Sequence, residues 1–291
     1  MVSGGAASSQ RFRPILKWAG GKTRLVPLIL GRLPSRIETY FEPFVGGGAV
    51  FFALAAERRF KRAVLADKNR ELIDVYKGVK ADVEGVISLL LDYAQRHGEN
   101  TYYATRDLDP STLDLAQRAA RLIYLNKTGY NGLYRVNRSG QFNVPFGRYE
   151  NPKICNEPRL RAAADALRTR GVSIKVADFE RSSEHAGQGD AVYFDPPYVP
   201  LTKTASFTNY HSESFGAEEH RRLASAFAAL TRRKVAAVLS NSGGKETRRM
   251  YAGDGVQVER VLVSRPINSK ASSRGAVAEL IVSNGRALGL L

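Results

Sequence analysis

Apolar positions fall into two patterns along the chain: short runs bounded by Gly, Pro and charged residues, and longer stretches with apolar residues at helical spacing. Glu38–Pro43 predicts a strand ending in a Gly-rich turn, and Ala49–Glu57 a helix that is apolar nearly all round and therefore buried. Ala63–Ala66 and Arg70–Lys80 predict the next strand and helix. This β-turn-α-β-α order is the opening of an open α/β sheet. The pattern then changes. Val83–Gln95 and Leu113–Leu125 predict helices, while Lys127–Tyr149, rich in Gly, Asn and Arg, predicts a loop and a hairpin. Strand signals return at Val172–Ala177, Ala191–Phe194, Val235–Leu239, Val256–Val263 and Val277–Val282, with amphipathic helices over Arg159–Arg170 and Ala217–Leu230. No internal repeat is visible. The expected organisation is an α/β, Rossmann-like sheet with helices on both faces, built from residues 12–70 and 151–291. A mainly helical domain with a β-hairpin, 71–150, interrupts it, and residues 1–11 form a tail.

Composition narrows the classes. With 43% hydrophobic and 25% charged residues over 291 positions, the chain is globular and long enough for a sizeable core. One cysteine, Cys155, excludes an internal disulfide, and with four histidines it leaves no cluster at metal-ligand spacing. No metal is therefore expected. The longest apolar run, Ala49–Ala56, is far short of the ~20 residues that span a bilayer, and no secretory signal precedes it. A soluble cytoplasmic protein, monomeric and without membrane contact, is expected.

The charge is less ordinary. Lys+Arg total 44 against 28 Asp+Glu, so the formal net charge is 44 − 28 = +16. It is also clustered. Residues 1–37 carry Arg11, Arg13, Lys17, Lys22, Arg24, Arg32 and Arg36 with no acid, and 115–149 carry six basic residues and six aromatics with no acid. A third acid-free stretch runs from Arg260 to Ala278. Basic segments interleaved with aromatics, Gly and Asn fit a nucleic-acid face better than a merely solvated surface.

Three motifs carry chemistry. Phe44-Val45-Gly46-Gly47-Gly48 lies between a predicted strand and helix, where glycines allow close backbone approach to a ligand. It is not the dinucleotide fingerprint, because Phe51 stands where that pattern needs Gly. Asp67 closes the next strand, where an acid holds ribose hydroxyls in Rossmann-like sites. Ala19-Gly20-Gly21-Lys22-Thr23 is not a P-loop, because Leu16 occupies the required Gly position, but Lys22 can pair with a carboxylate or phosphate. The sharpest signal is Asp195-Pro196-Pro197-Tyr198 after the strand Ala191–Phe194. A nucleobase amine is a poor nucleophile, because its lone pair is delocalised into the ring. Acceptors at Asp195 and at the Pro196 carbonyl would favour its pyramidal form. The two prolines stiffen the turn, and Tyr198 offers a face for an extruded base.

Lys17-Trp18-Ala19-Gly20-Gly21-Lys22, Glu42–Gly48, Leu65-Ala66-Asp67 and Asp195–Tyr198 occur in that order. They resemble the ordered motifs of the DNA adenine methyltransferase (Dam) family. Leu125–Arg135 with Phe142–Tyr149 resembles that family's recognition hairpin, and Leu201–Phe215, with Phe207 and Tyr210-His211, resembles its segment after the tetrapeptide. The similarity covers roughly residues 12–284. It implies a Rossmann-like methyltransferase sheet and transfer of the methyl of S-adenosylmethionine to the exocyclic N6 amine of adenine in double-stranded DNA, within GATC. It implies Trp18, Lys22, Phe44, Gly46, Gly48, Asp67, Asp178, Phe179 and Asp195 as cofactor-binding positions. Asp195, Pro196, Pro197 and Tyr198 would be catalytic. Lys17, Tyr130, Asn131, Leu133, Arg135, Asn137, Arg138 and Pro145 would be DNA-binding, with Arg135 and Lys17 as guanine readers. A methyltransferase of cytosine N4 or of a protein glutamine amide shares the tetrapeptide chemistry, and a DNA-binding protein without activity is the remaining alternative. His97, His185, His211 and His220 belong to no plausible catalytic triad, and Cys155 reads as a small packed residue.

Overall fold

The computed structural model describes residues 14–18, 20–197, 215–242, 244–264, 276–285 and 289. Tyr198, the segment with Phe207, Tyr210 and His211, and the 1–11 tail lie outside the described residues.

One seven-stranded sheet organises the chain: β1 Ile37–Glu42, β2 Phe60–Asp67, β3 Val172–Val176, β4 Ala191–Phe194, β5 Ala236–Ser242, β6 Gln257–Ser264 and β7 Ala276–Ser283. Their spatial order is β3-β2-β1-β4-β5-β7-β6. The first five run parallel, and β7 is antiparallel to both β5 and β6. Strands β4 and β5 are buried along their whole length, as expected for parallel strands covered on both faces. Alternation sorts their side chains. Tyr40, Tyr193, Val238 and Ile281 enter one apolar cluster, and Phe41, Val192, Phe194, Leu239 and Val282 the other. Helices therefore cover both faces. The order reverses between β1 and β4, which makes their carboxyl ends the ligand-binding crevice of such a sheet.

On the first face lie α1 (Val26–Leu30), α2 (Ala49–Ala56), α3 (Arg70–Ala81), α4 (Val83–Gln95), α5 (Glu99–Asp107), α6 (Leu115–Thr128) and α7 (Glu157–Arg168); the other face receives α8 (Phe179–Ser183) and α9 (Ala217–Arg232). A further helix, α10 (Lys245–Met250), precedes β6. Local signals start the helices. Asn69 Oδ1 accepts the Leu72 amide at 3.0 Å to begin α3, and Asp114 with Gln117 forms a capping box at α6. Gly78 lets α3 and α6 approach closely, since a Cβ there would sit 2.5 Å from the Leu115 carbonyl oxygen. Core residues from 71–150, such as Val75, Leu122 and Tyr124, share one continuous cluster with Tyr40, Ala63 and Tyr193 of the sheet.

Two details depart from the sequence pattern. Helix α5, Glu-Asn-Thr-Tyr-Tyr-Ala-Thr-Arg-Asp, shows no apolar stripe and was not expected. Particular contacts order it against its neighbours: Tyr102 is fully buried and its hydroxyl donates to the Val144 carbonyl at 3.0 Å, while the Arg121 guanidinium donates to the Thr105 and Arg106 carbonyls at 3.1 and 2.7 Å. Helix α6 starts at Leu115 because Asp114 caps it, and it runs on through Thr128, taking Lys127 out of the expected loop. The hairpin that follows is irregular. Antiparallel bridges join Gly129 to Phe146 and Val136 to Phe142, and its tip closes with the Asn137 amide donating to the Gln141 carbonyl at 2.8 Å.

Candidate active site

The carboxyl ends of four neighbouring parallel strands converge on one edge. Strand β1 ends in Glu42 and the Phe44–Gly48 turn, β2 in Asp67, β3 leads to Asp178, and β4 ends in Asp195. The turn is tight. Gly46 and Gly48 take positive φ of 46° and 70°, and a Cβ at Gly46 would stand 2.9 Å from Cδ1 of Trp18. The Tyr76 hydroxyl donates to the Gly46 carbonyl at 2.8 Å and fixes the turn from below.

Asp67 binds the turn and the next helix at once. Its Oδ2 accepts the Gly46 amide at 3.3 Å and its Oδ1 the Asn69 amide at 3.0 Å. Burial nevertheless pushes its carboxyl up to about 6. Backbone donors from Asn69, Gly46 and Lys68 do not offset the lost water. Asp178 accepts the Glu180 amide at 3.0 Å and meets Lys68 at 3.2 Å and Arg222 at 3.1 Å. Phe179 stacks on Phe44 at 5.5 Å between ring centres, and Phe215 meets both rings edge-on or tilted. The result is an apolar wall beside two acids.

Asp195 sits at the centre of a charged cluster. Lys22, itself buried, approaches Asp195 Oδ1 at 2.9 Å and also donates to the Gly20 carbonyl. Of the two partners that the sequence allowed Lys22, a carboxylate or a phosphate, the structure supplies the carboxylate. The Ser240 hydroxyl donates to the same Oδ1 at 2.9 Å. Burial raises the Asp195 carboxyl; Lys22 and Ser240 pull it back, and Glu279 pushes it further up. Glu42 lies behind, 2% exposed, with the Tyr40 hydroxyl donating to it at 2.9 Å. Burial lifts the Glu42 carboxyl to about 8 despite that hydrogen bond, and the nearby Asp195 charge adds to the shift. Pro196 is buried, while Pro197 is exposed.

The second face of the site comes from 130–147. Tyr130, Asn131, Leu133, Arg135, Arg138 and Pro145 are exposed, and so is Lys17. Arg135 is braced rather than free: its Nε donates to Asn143 Oδ1 at 2.7 Å and one terminal nitrogen donates to the Asn143 carbonyl at 2.8 Å. Its outer edge stays open. Asn137 is exposed too, but its side chain is engaged within the tip, with its Oδ1 accepting the Ser139 and Gln141 amides, each at 3.0 Å. Asn126, which sequence reasoning gave no role, ties the two parts of this face together. Its Oδ1 accepts the Lys17 amide at 2.8 Å, and its Nδ2 donates to the Lys17 carbonyl at 2.8 Å and the Gly132 carbonyl at 2.9 Å. Trp18 then lies between Gly46 and Tyr134, whose ring centre is 5.3 Å away. Among the described residues no group of His, Cys, Asp and Glu stands in a metal-holding arrangement.

Residues 18–264 match the D12 class N6 adenine-specific DNA methyltransferases. The chain belongs to this family. Among its relatives, the Type II methyltransferase M1.LlaDCHI of Lactococcus lactis subsp. cremoris is 40% identical over 278 residues, covering 94% of this chain and 95% of its own length. The Type II methyltransferase M.MjaIII of Methanocaldococcus jannaschii is 40% identical over 289 residues, covering 94% and 99%. The DNA adenine methylase of Escherichia coli K12 is 36% identical over 274 residues, covering 94% and 95%.

This methyltransferase has its acid-proline turn at the switch point in the parallel part of a mixed sheet, with an aromatic wall and an exposed basic hairpin. Sequence reasoning missed Ser240 and the consequence of Glu42. Ser240 carried one weak signal, a hydroxyl following the apolar run Val235–Leu239. The pairing of Lys22 with Asp195 spans the chain and is visible only in space. Among the described residues no helix is long and apolar enough to cross a membrane.

Proposed function

We propose that this N6-adenine DNA methyltransferase uses S-adenosylmethionine to methylate adenine within GATC in duplex DNA. The observation that carries the reading is the position of Asp195-Pro196 at the carboxyl end of β4, two strands from Asp67 at the end of β2. A base amine and a nucleoside-linked methyl donor can meet in such a crevice. Trp18, Phe44, Gly46, Gly48, Asp67, Asp178 and Phe179 would hold the donor. The Asp67 carboxylate, at the end of β2 beside the glycine turn, suits ribose hydroxyls, and the Phe44–Phe179 wall suits an adenine ring. When bound, S-adenosylmethionine supplies a methyl group on a sulfonium, with a neutral thioether as leaving group.

The chain's own residues do the rest. Asp195 and the Pro196 carbonyl accept the hydrogens of the target amine and favour its pyramidal, nucleophilic form. Asp195 is the acceptor for the proton that the amine sheds once methylated, because that proton becomes acidic only then. Positioning of two bound reactants supplies most of the rate. Extrusion of the base into this pocket is expected from the same need for access. Residues 71–150 serve as the target-recognition unit. Lys17 and the open edge of Arg135 read guanine, each such pair contributing about 1–3 kcal/mol of discrimination. Asn137 braces the hairpin tip, and Tyr130, Asn131, Leu133, Arg138 and Pro145 contact the duplex. The GATC assignment rests on the resemblance of 125–149 to the Dam recognition hairpin.

Transfer from tritiated S-adenosylmethionine to duplex oligonucleotides tests this. GATC duplexes should be labelled and scrambled ones not; equal labelling would remove the site assignment. Asp195→Ala should abolish transfer while DNA binding persists, and surviving transfer would overturn the account of the amine.

A further inference from the structure

The Asp195 carboxylate is held asymmetrically. Lys22 and Ser240 both converge on Oδ1, at 2.9 Å each, and no hydrogen bond or ion pair engages Oδ2 among the described residues. Ser240 reaches this oxygen because β4 and β5 are parallel neighbours with Phe194 opposite Leu239. One residue further along, Asp195 stands opposite Ser240 on the face that also carries Tyr193. Ser240 is fully buried and Tyr193 is 1% exposed, so neither hydroxyl can turn to water. They lie 2.9 Å apart.

The direction of this chain follows from the chemistry. An ionised carboxylate only accepts, so Ser240 spends its one hydrogen on Asp195 and is left as an acceptor toward Tyr193. Tyr193 O–H therefore donates to Ser240 Oγ, which donates to Asp195 Oδ1. Each donor polarises the next, and the charge at the end makes the chain stronger than two isolated hydroxyl bonds. The other charges facing Asp195 are Lys22 from the 14–25 segment, Glu42 from β1 and Glu279 from β7. Two of these three are acids, so Lys22 and Ser240 are what favour the ionised form.

We propose that Ser240, oriented by Tyr193, is a positioning residue for methyl transfer, fixing Asp195 through Oδ1 so that Oδ2 is presented to the target amine. This rests on the reading of Asp195 as the amine acceptor. It is tested first on the wild type and Asp195→Ala: if the wild type methylates no adenine, or if Asp195→Ala is active, that reading fails before any other variant is considered.

With that baseline in place, kcat, the KM for DNA and for the methyl donor, and the pH profile of kcat are measured for Ser240→Ala, Ser240→Thr and Tyr193→Phe. Ser240→Ala should lower kcat roughly tenfold or more, the scale of one hydrogen bond to a charged group. Both KM values should stay within about twofold, since a positioning residue acts on the chemical step. The acid limb of the profile should move to higher pH, because Asp195 has lost a donor to its charged form. Tyr193→Phe, which keeps the ring and its packing, should move kcat and the acid limb in the same directions by less. Ser240→Thr restores the hydroxyl and should recover most of both. An acid limb unmoved in Ser240→Ala, or wild-type kcat in both Ser240→Ala and Tyr193→Phe, overturns the proposal.

Discussion

Glu42 shows how one buried side chain can set a property of the whole protein. Its carboxyl is 2% exposed, carries a hydrogen bond from Tyr40, and titrates near 8 rather than near 4.5. Because the folded value lies above the unfolded one, its contribution to stability is fully present below about pH 4.5. It is lost as pH rises toward 8. Between pH 5 and 8 that loss is on the order of 3 kcal/mol. Glu42→Gln, which keeps the shape and one acceptor, should flatten the pH dependence of the urea midpoint across this window. An unchanged slope would mean that Glu42 ionises normally. The same residue marks a limit of sequence reading. Glu42 was visible as part of a motif, but its environment depends on Tyr40, two residues away on the same face of β1, and on Asp195 from β4.

At the scale of elements, the hairpin divides labour among basic side chains that look alike in sequence. Arg135 is braced by Asn143 with one edge open, whereas Arg138 is exposed and has no partner among the described residues. A preorganised guanidinium can read a base, and an unrestrained one contributes mainly charge to the phosphate backbone. Arg135→Ala should thus relax sequence preference, measured as the methylation ratio of GATC to singly altered sites. Arg138→Ala should weaken binding to all duplexes alike and lower the salt slope of log K by about one. If the two variants behave the same way, the bracing has no role in recognition.

Elements with a strong period were legible in the sequence, because burial on one face leaves a repeat that can be counted. Helices α3, α4 and α9 are of this kind, while strands β4 and β5, covered on both faces, were legible as short continuous apolar runs. Helix α5 was not, because it is secured by Tyr102 and by Arg121 from α6 rather than by a stripe. The candidate site was legible as motifs and illegible as contacts. Asp67 and Asp195 announced themselves, while Asn126 and Ser240 act through partners that only the folded chain brings near.

Across the whole molecule, the +16 charge and the site geometry answer different questions. Lys22 is committed to Asp195, and several arginines are committed to neighbouring acids, as in Arg161 with Glu84 at 2.8 Å. The remaining exposed cations act together on the polyanion. Raising salt from 50 to 200 mM should cost on the order of a thousandfold in DNA affinity if at least six phosphates are contacted. The preference for target over non-target sites, titrated in parallel, should change far less. A shared collapse of affinity and preference would place recognition in the charges themselves.

The sheet order has a consequence for how the molecule comes into being. Strand β7 follows β6 in the chain, yet it sits between β5 and β6. During synthesis, the outer edge of β5, the strand that carries Ser240, therefore stays unpaired until residues 276–283 emerge. Asn284 then completes the seam, its Oδ1 accepting the Ala237 amide at 2.8 Å and its Nδ2 donating to the Val235 carbonyl at 2.9 Å. The strand order thus makes the edge of β5 beside the site depend on a segment that follows it in the chain, not on its sequence neighbour β6.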